Sequence, residues 1–66
     1  MNIIYNGNNY FLGAPCTIYE FLEKTGKSTI PMMVKLNGIF LSKKVRGDVL
    51  LKEGDSLLVI LFMGGG

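Results

Sequence analysis

SLLVILFMGGG, residues 56–66, is the stretch that decides the fold of this chain. Residues 57–63 form an unbroken apolar run, which is typical of a buried strand, and three glycines follow it directly. Glycine has no side chain to bury and loses more backbone entropy on ordering than any other residue. We therefore predict a globular part, residues 1–62, and a flexible tail, residues 63–66. A tail this thin can enter a narrow active site of another protein and present its terminal carboxylate there.

The predicted final strand, residues 56–62, is apolar on both faces, whereas a strand with one face in water normally alternates apolar and polar residues. We assign the odd-numbered set to the core: Leu57, Val59 and Leu61. The even-numbered set shares its face with the polar Ser56 and is placed outward. Because the outward set is also apolar, we expect a partner protein to cover it. The predicted partner-binding residues are the outward set and the residue after it: Leu58, Ile60, Phe62 and Met63.

The amino-terminal part predicts a hairpin followed by one helix. Residues 1–5 and 10–12 are interpreted as strands joined by a four-residue turn. Thr17 and Glu20 have the spacing of a capping box, in which each side chain bonds a backbone N–H at the start of a helix. The apolar residues of this helix share one face: Ile18, Phe21 and Leu22. Gly26 is expected to end the helix.

The remaining sequence predicts more strands and turns. Residues 33–36 are interpreted as a strand, and the Asn-Gly pair at 37–38 is a strong hairpin signal, so residues 39–41 are predicted to return beside it. Residues 42–48 are polar and contain one short helical turn, and residues 52–55 form the turn before the final strand. This order predicts an α+β fold, in which a mixed sheet of about four to five strands packs on one main helix.

Length and composition limit what this chain can be. Its 66 residues make one domain, and 48% hydrophobic against 18% charged residues is too apolar for a disordered chain. The longest apolar run, seven residues, is far shorter than the roughly 20 that cross a bilayer. A net charge of +2 without a basic stripe argues against nucleic acid as a partner. A lone cysteine, Cys16, and no recognisable signal peptide favour a cytoplasmic location.

The side chains do not predict an enzyme active site. The sequence has no histidine, which excludes a histidine-based triad or zinc site. Cys16 lies near the predicted helix start but has no base, and we interpret it as a small structural residue. Residues 26–29, Gly-Lys-Ser-Thr, match the end of a phosphate-binding loop but follow a helix, and we discount them. We therefore predict no catalytic, metal-binding or permanent cofactor-binding residue.

Five segments together resemble the ThiS/MoaD family of ubiquitin-like sulfur carriers, and its ThiS branch most closely. They extend over nearly the whole chain: residues 1–7, 17–22, 34–38, 52–55 and 62–66. Each segment is weak alone, but their order and the position of the glycines at the terminus make the set specific. The resemblance implies a ubiquitin-like β-grasp fold.

The resemblance also implies that the chain is a co-substrate and not an enzyme. An E1-like, ThiF-like adenylyltransferase would use ATP and magnesium to adenylate Gly66. A cysteine desulfurase or another persulfide source would then supply sulfur and give a terminal thiocarboxylate. In the ThiS branch this sulfur goes to a ThiG-like thiazole synthase, for the thiazole ring of thiamine. Gly65 and Gly66 match the functional tail of the family, and Gly64 matches the three-glycine ending of many members.

Departures from the family pattern leave alternatives open. The ThiS branch often has a Pro-Arg pair and a nearby aromatic residue where this chain has Ser42, Lys43 and Arg46, and we treat that stretch as a candidate partner contact. The longer loops of the molybdopterin branch, and its proline before the tail, are missing, which favours thiamine over molybdopterin. The alternatives are the small subunit of molybdopterin synthase, a ubiquitin-like protein modifier, and an interaction module whose tail is incidental.

Overall fold

The computed structural model describes residues 1–27 and 30–62. In chain order their elements are β1 (Asn2–Tyr5), β2 (Asn8–Phe11), α1 (Ile18–Lys24), β3 (Met32–Leu36), β4 (Ile39–Leu41), a 3-10 helix (Lys43–Val45) and β5 (Ser56–Leu61). The strands form one sheet in the order β2-β1-β5-β3-β4. β1 and β5 are parallel and the other neighbours are antiparallel. The predicted α+β class, with a mixed sheet and one main helix, is confirmed.

Two Asn-Gly pairs make the tight turns of this sheet. Asn6 and Gly7 have φ of 49° and 85°, and Asn37 and Gly38 have φ of 51° and 84°. Positive φ at both central residues suits the twist of two-residue hairpins, and Asn and Gly adopt it at low cost. The first turn is shorter than the four residues predicted, because β2 begins at Asn8, directly after Gly7.

The capping box at the start of α1 is present. Glu20 N–H donates to Thr17 Oγ1 at 3.1 Å, and Thr17 N–H donates to Glu20 Oε1 at 2.8 Å. These bonds satisfy backbone donors that the first turn of a helix leaves unpaired. Thr25 is the C-cap residue of α1. Gly26 follows it with φ of 75°, as expected for a glycine that ends a helix.

The apolar stripe of α1 covers one face of the sheet. Ile18, Phe21 and Leu22 are at most 2% exposed, as their spacing predicted. They pack in one core with inward-facing residues of the three central strands: Ile3, Met32, Val34, Leu57 and Val59. Residues outside the helix and strands complete the core: Leu12, Cys16 and Leu51.

β5 lies at the centre of the sheet and shows the predicted division of its side chains. It pairs with β3 along its length, from Leu57 opposite Leu36 to Leu61 opposite Met32. Leu57 and Val59 are 1% and 5% exposed, and Leu61 packs partly buried against the same core. The odd-numbered set therefore faces the helix, and the even-numbered set faces outward.

The segment between β4 and β5 closes the core at the start of the helix. It contains the 3-10 helix Lys43–Val45, which confirms the short helical turn predicted within 42–48. Further on, Val49 C=O accepts from Ile18 N–H at 3.0 Å. Leu51 N–H donates to Cys16 C=O at 2.9 Å, so this segment holds the beginning of α1 over the sheet.

Candidate functional site

The outward face of β5 presents the apolar side chains that the sequence predicted. Leu58, Ile60 and Phe62 are 40%, 42% and 53% exposed. The helix packs on the opposite face of the sheet, so these side chains have no layer above them in the described part of the chain. A contiguous row of exposed apolar side chains is typical of a protein-binding surface.

Neighbouring strands widen this row. Cross-strand partners share a face of the sheet, and Met33 lies opposite Ile60 while Lys35 lies opposite Leu58. On the next strand, Phe40 lies opposite Lys35 and is 57% exposed. We call this surface the outer patch: Met33, Lys35, Phe40, Leu58, Ile60 and Phe62. Lys35 is its only charged member, so a docking protein would meet a mostly apolar surface with one positive charge.

The outer patch lies at the base of the tail. Phe62 N–H donates to Pro31 C=O at 3.1 Å, so the chain stays attached to the segment before β3 up to this residue. The residues after it lie outside the described part of the chain, and their predicted roles stay predictions: Met63, Gly64, Gly65 and Gly66. The strand that carries Leu58 and Ile60 of the patch therefore leads in sequence into the predicted tail.

The side chain of Asn6 holds the tip of the β1–β2 hairpin against β5, an arrangement that sequence reasoning missed. Its Oδ1 accepts from Val59 N–H at 2.7 Å, and its Nδ2 donates to Val59 C=O at 3.3 Å. The Asn6 backbone N–H also donates to Leu57 C=O at 2.9 Å. The Asn-Gly signal predicted the turn, but nothing in the local sequence indicates a partner 53 residues away.

Cys16 is a buried thiol. It is 6% exposed, and this burial raises the pKa of its thiol above the usual value. The nearby Lys24 lowers that pKa by a smaller amount, and Glu20 raises it. A raised pKa leaves less thiolate at neutral pH, and the thiolate is the reactive form. The structure therefore agrees with the interpretation of Cys16 as a structural residue.

We expect Cys16 to react with iodoacetamide much more slowly in the folded protein than in the denatured chain near neutral pH. Burial blocks access, and the raised pKa keeps the thiol protonated. The rate in the folded protein should increase as the pH rises toward that pKa. Alkylation followed by mass spectrometry measures both rates, and equal rates for folded and denatured protein would contradict this expectation.

Within residues 1–27 and 30–62, no group of three or more His, Cys, Asp or Glu side chains is placed to hold a metal ion. A groove of about 400 Å³ lies at the end of β5 away from the tail, where Asp55 forms part of its wall. Both carboxylate oxygens of Asp55 already accept hydrogen bonds, from Asn37 Nδ2 and from Lys52 N–H.

Among the residues that the structure describes, no helix has the length and apolar character needed to cross a membrane.

Comparison with solved structures relates the whole chain to a protein of thiamine biosynthesis. The crystal structure of the thiamine biosynthesis protein ThiS from Geobacter metallireducens matches with a TM-score of 0.86 and 30% sequence identity, over 100% of both chains. The chain belongs to the ThiS family. The NMR solution structure of a thiamine biosynthesis protein from the same organism matches with a TM-score of 0.83 and 28% identity, over 100% of this chain and 88% of the other. No protein-family model and no curated protein matches the sequence.

Membership in the ThiS family confirms the resemblance and the β-grasp architecture that it implied. The predicted class of ubiquitin-like sulfur carriers follows from the same match.

The stretch that departs from the ThiS pattern divides into exposed and buried parts. Ser42 and Lys43 are exposed. Arg46 is only 8% exposed, and its Nη2 donates to Met32 C=O at 3.3 Å, while its Nε is buried without a hydrogen-bond partner. Our interpretation of Arg46 as a candidate partner contact is therefore corrected, because its guanidinium lies inside the domain. The exposed part of the stretch keeps that role as a prediction.

Proposed function

We propose that this chain is the sulfur carrier of a thiamine-biosynthesis system and that the carboxylate of Gly66 is the group that carries the sulfur. The observation that carries the proposal is the full-length match to ThiS in a chain whose central strand runs into three terminal glycines. The chain acts as a co-substrate: it supplies the reacting carboxylate and the surface by which partner enzymes bind it.

The first step is adenylation by an E1-like, ThiF-like partner. A carboxylate oxygen of Gly66 attacks the α-phosphorus of ATP, pyrophosphate leaves, and an acyl-adenylate forms. ATP and magnesium belong to the partner. AMP is a good leaving group, so the acyl carbon of Gly66 becomes open to attack by a sulfur nucleophile.

The second step transfers sulfur. The terminal sulfur of a persulfide, supplied by a cysteine desulfurase system, attacks the acyl carbon and AMP leaves. The product is an acyl disulfide, and a second thiol reduces its S–S bond to release the thiocarboxylate of Gly66. A ThiG-like thiazole synthase then takes the sulfur for the thiazole ring.

The outer patch is the proposed docking surface for the adenylating partner. The patch is mostly apolar, its Phe40, Leu58, Ile60 and Phe62 are exposed, and β5 leads in sequence into the predicted tail, so docking there would orient the carboxylate toward the nucleotide. The predicted contacts are the outward residues of the final strand and the residue that follows: Leu58, Ile60, Phe62 and Met63. Lys35 adds a positive charge, which favours an acidic side chain on the partner.

Ile60→Asp is expected to leave the fold intact and to reduce adenylation by about tenfold or more, because a buried unpaired carboxylate weakens an apolar interface. Ile60 is 42% exposed in the free chain and lies outside the core, so the substitution opens no core cavity, and thermal unfolding checks that the variant is folded. The matched control is Ile39→Asp: Ile39 is 66% exposed but pairs with Leu36, on the helix-facing side of the sheet. Pyrophosphate release measures adenylation, and equal rates for both variants would contradict the docking proposal.

Intact mass spectrometry tests the function itself, after incubation with a ThiF-like enzyme, ATP and a cysteine desulfurase system. A sulfur-for-oxygen change at Gly66 supports the sulfur carrier. The four methionines can oxidise with nearly the same mass change, so the shift must map to the terminal peptide and react with a thiol-selective alkylator. An adenylate that never accepts sulfur, with higher-mass conjugates in cells, would instead favour a protein modifier. A stable complex with a large molybdopterin synthase subunit would favour the other sulfur-carrier branch.

A further inference from the structure

β5 extends beyond its parallel neighbour and leaves part of one edge open. β1 pairs with β5 only at Ser56 and Leu57. The side chain of Asn6 adds Val59 to this ladder through two hydrogen bonds. The chain then turns away at Gly7, while β5 continues to Leu61. The last part of β5 is therefore without a neighbour on the β1 side among residues 1–27 and 30–62.

The backbone groups of Leu61 point toward this open side. Along a strand, alternate residues direct their N–H and C=O groups to the same neighbour, and Leu57 and Val59 direct theirs toward β1 and Asn6. Phe62 instead donates to Pro31 on the β3 side. Leu61 thus follows the pattern of Leu57 and Val59, but within the described ranges no residue bonds to its N–H or C=O.

This edge lacks the features that usually protect an exposed strand. Natural proteins protect edges with charged side chains, proline, bulges or short strands. β5 has six residues, of which the last two lie beyond Asn6, and none of the six is charged or proline. The two outer strands are shorter: β2 has four residues and β4 has three. A charged residue, Lys43, lies two positions after the end of β4. An unprotected apolar strand edge is suited to pairing with another polypeptide.

The tail sequence points to recognition through the backbone. Residues 64–66 have no side chains, so a protein that binds them has only their N–H and C=O groups and the terminal carboxylate to contact. Leu61 offers the same backbone groups in the strand that leads into these glycines. We propose that the adenylating partner adds an extended segment to the open edge of β5 and pairs with the backbone of Leu61. This proposal rests on the proposed function, because the partner it names is the enzyme that receives the tail.

The open edge is distinct from the outer patch. The patch is formed by side chains that stand on the face of the sheet, whereas the edge is formed by backbone groups in the plane of the sheet. Asn6, Gly7 and Asn8 are exposed beside the edge. A Cβ built at Gly7 would meet no atom within 4 Å, so the space beside this residue of the hairpin tip is open.

The test removes one N–H group without changing a side chain. A chain of 66 residues can be made by chemical synthesis, with the backbone nitrogen of Leu61 methylated. The matched control is methylation of the backbone nitrogen of Phe11. Leu12 N–H donates to Met1 C=O, so the N–H of Phe11 points away from β1, to the outer edge of β2. Both modified chains should fold as the unmodified chain does, because neither N–H has a partner within the described domain.

We expect methylation at Leu61 to weaken binding to the ThiF-like enzyme by about tenfold or more, and methylation at Phe11 to leave it unchanged. We also expect hydrogen exchange of the Leu61 amide to slow when the unmodified chain binds the enzyme.

Adenylation of the unmodified chain together with equal binding of both modified chains would overturn the edge proposal and leave the proposed function standing. Slow Leu61 exchange that depends on the concentration of the free chain would show a second copy at the edge, which also overturns the proposal. If the ThiF-like enzyme never adenylates the unmodified chain, the proposed function fails and the edge proposal fails with it.

Discussion

Phe21→Ala is expected to unfold this domain or to leave it barely folded. Phe21 is 0% exposed, and its ring makes edge-to-face contacts with Tyr5 and Tyr10 at centroid distances of 4.9 and 5.1 Å. Truncating a core phenylalanine costs about 3–5 kcal/mol. At about 0.05–0.15 kcal/mol per residue, a chain of this length has a total stability of roughly 3–10 kcal/mol. The substitution therefore removes a large share, or all, of the free energy of unfolding.

Urea denaturation followed by circular dichroism measures this loss. Tyr19→Ala is the matched control, because Tyr19 is an aromatic residue of the same helix but is 46% exposed. We expect the control to change the free energy of unfolding by only about 0.5 kcal/mol. Phe21→Leu, which keeps an apolar side chain in place, should stay folded with an intermediate loss. If Phe21→Ala proves as stable as the control, the core is not organised around this ring.

Gly65→Val is expected to leave the fold unchanged and to reduce adenylation of the terminus by about 100-fold or more. The reason follows from the proposed function: the tail must thread extended into the active site of the partner, and a β-branched side chain both stiffens the backbone and adds width. Glycine has no side chain, so the substitution removes none from the core of the described domain.

Gly13→Val is the control for the Gly65 substitution. Gly13 is exposed and a Cβ built there meets no atom within 4 Å, so the position has room for an added side chain. Pyrophosphate release with a ThiF-like enzyme measures adenylation, and thermal unfolding confirms that both variants are folded. Normal adenylation of the Gly65 variant would show that the receiving channel is wide, and the three-glycine ending would then need another explanation.

Most of the fold could be predicted because its signals are local. The capping box joins Thr17 and Glu20, three positions apart, and the Asn-Gly turns are set by the φ values that those two residue types adopt. The exposed apolar face of β5 could also be predicted, because the period of two in a strand assigns alternate residues to opposite faces.

The parts that could not be predicted depend on residues far apart in the sequence. The side-chain amide of Asn6 forms hydrogen bonds with the backbone of Val59, whereas the composition of residues 6–9 predicts only a turn. The sequence predicts Arg46 as part of a candidate partner contact, yet its guanidinium is buried and donates a hydrogen bond to Met32 C=O. In the candidate site, the contributions of Met33 and Phe40 to the outer patch required the register of three strands.

The sequence by itself determined the elements, their order, the inward and outward faces of β5 and the glycine ending, because each depends on residue types and spacings within one segment. Only the tertiary structure decided that β5 pairs in parallel with β1 and antiparallel with β3, and that β1 ends early enough to leave Leu61 open. These features arise from contacts of the last strand with the first strand and with a strand from the middle of the chain. The free energy that stabilises these pairings comes from burying the core as a whole. No local sequence pattern therefore predicts them.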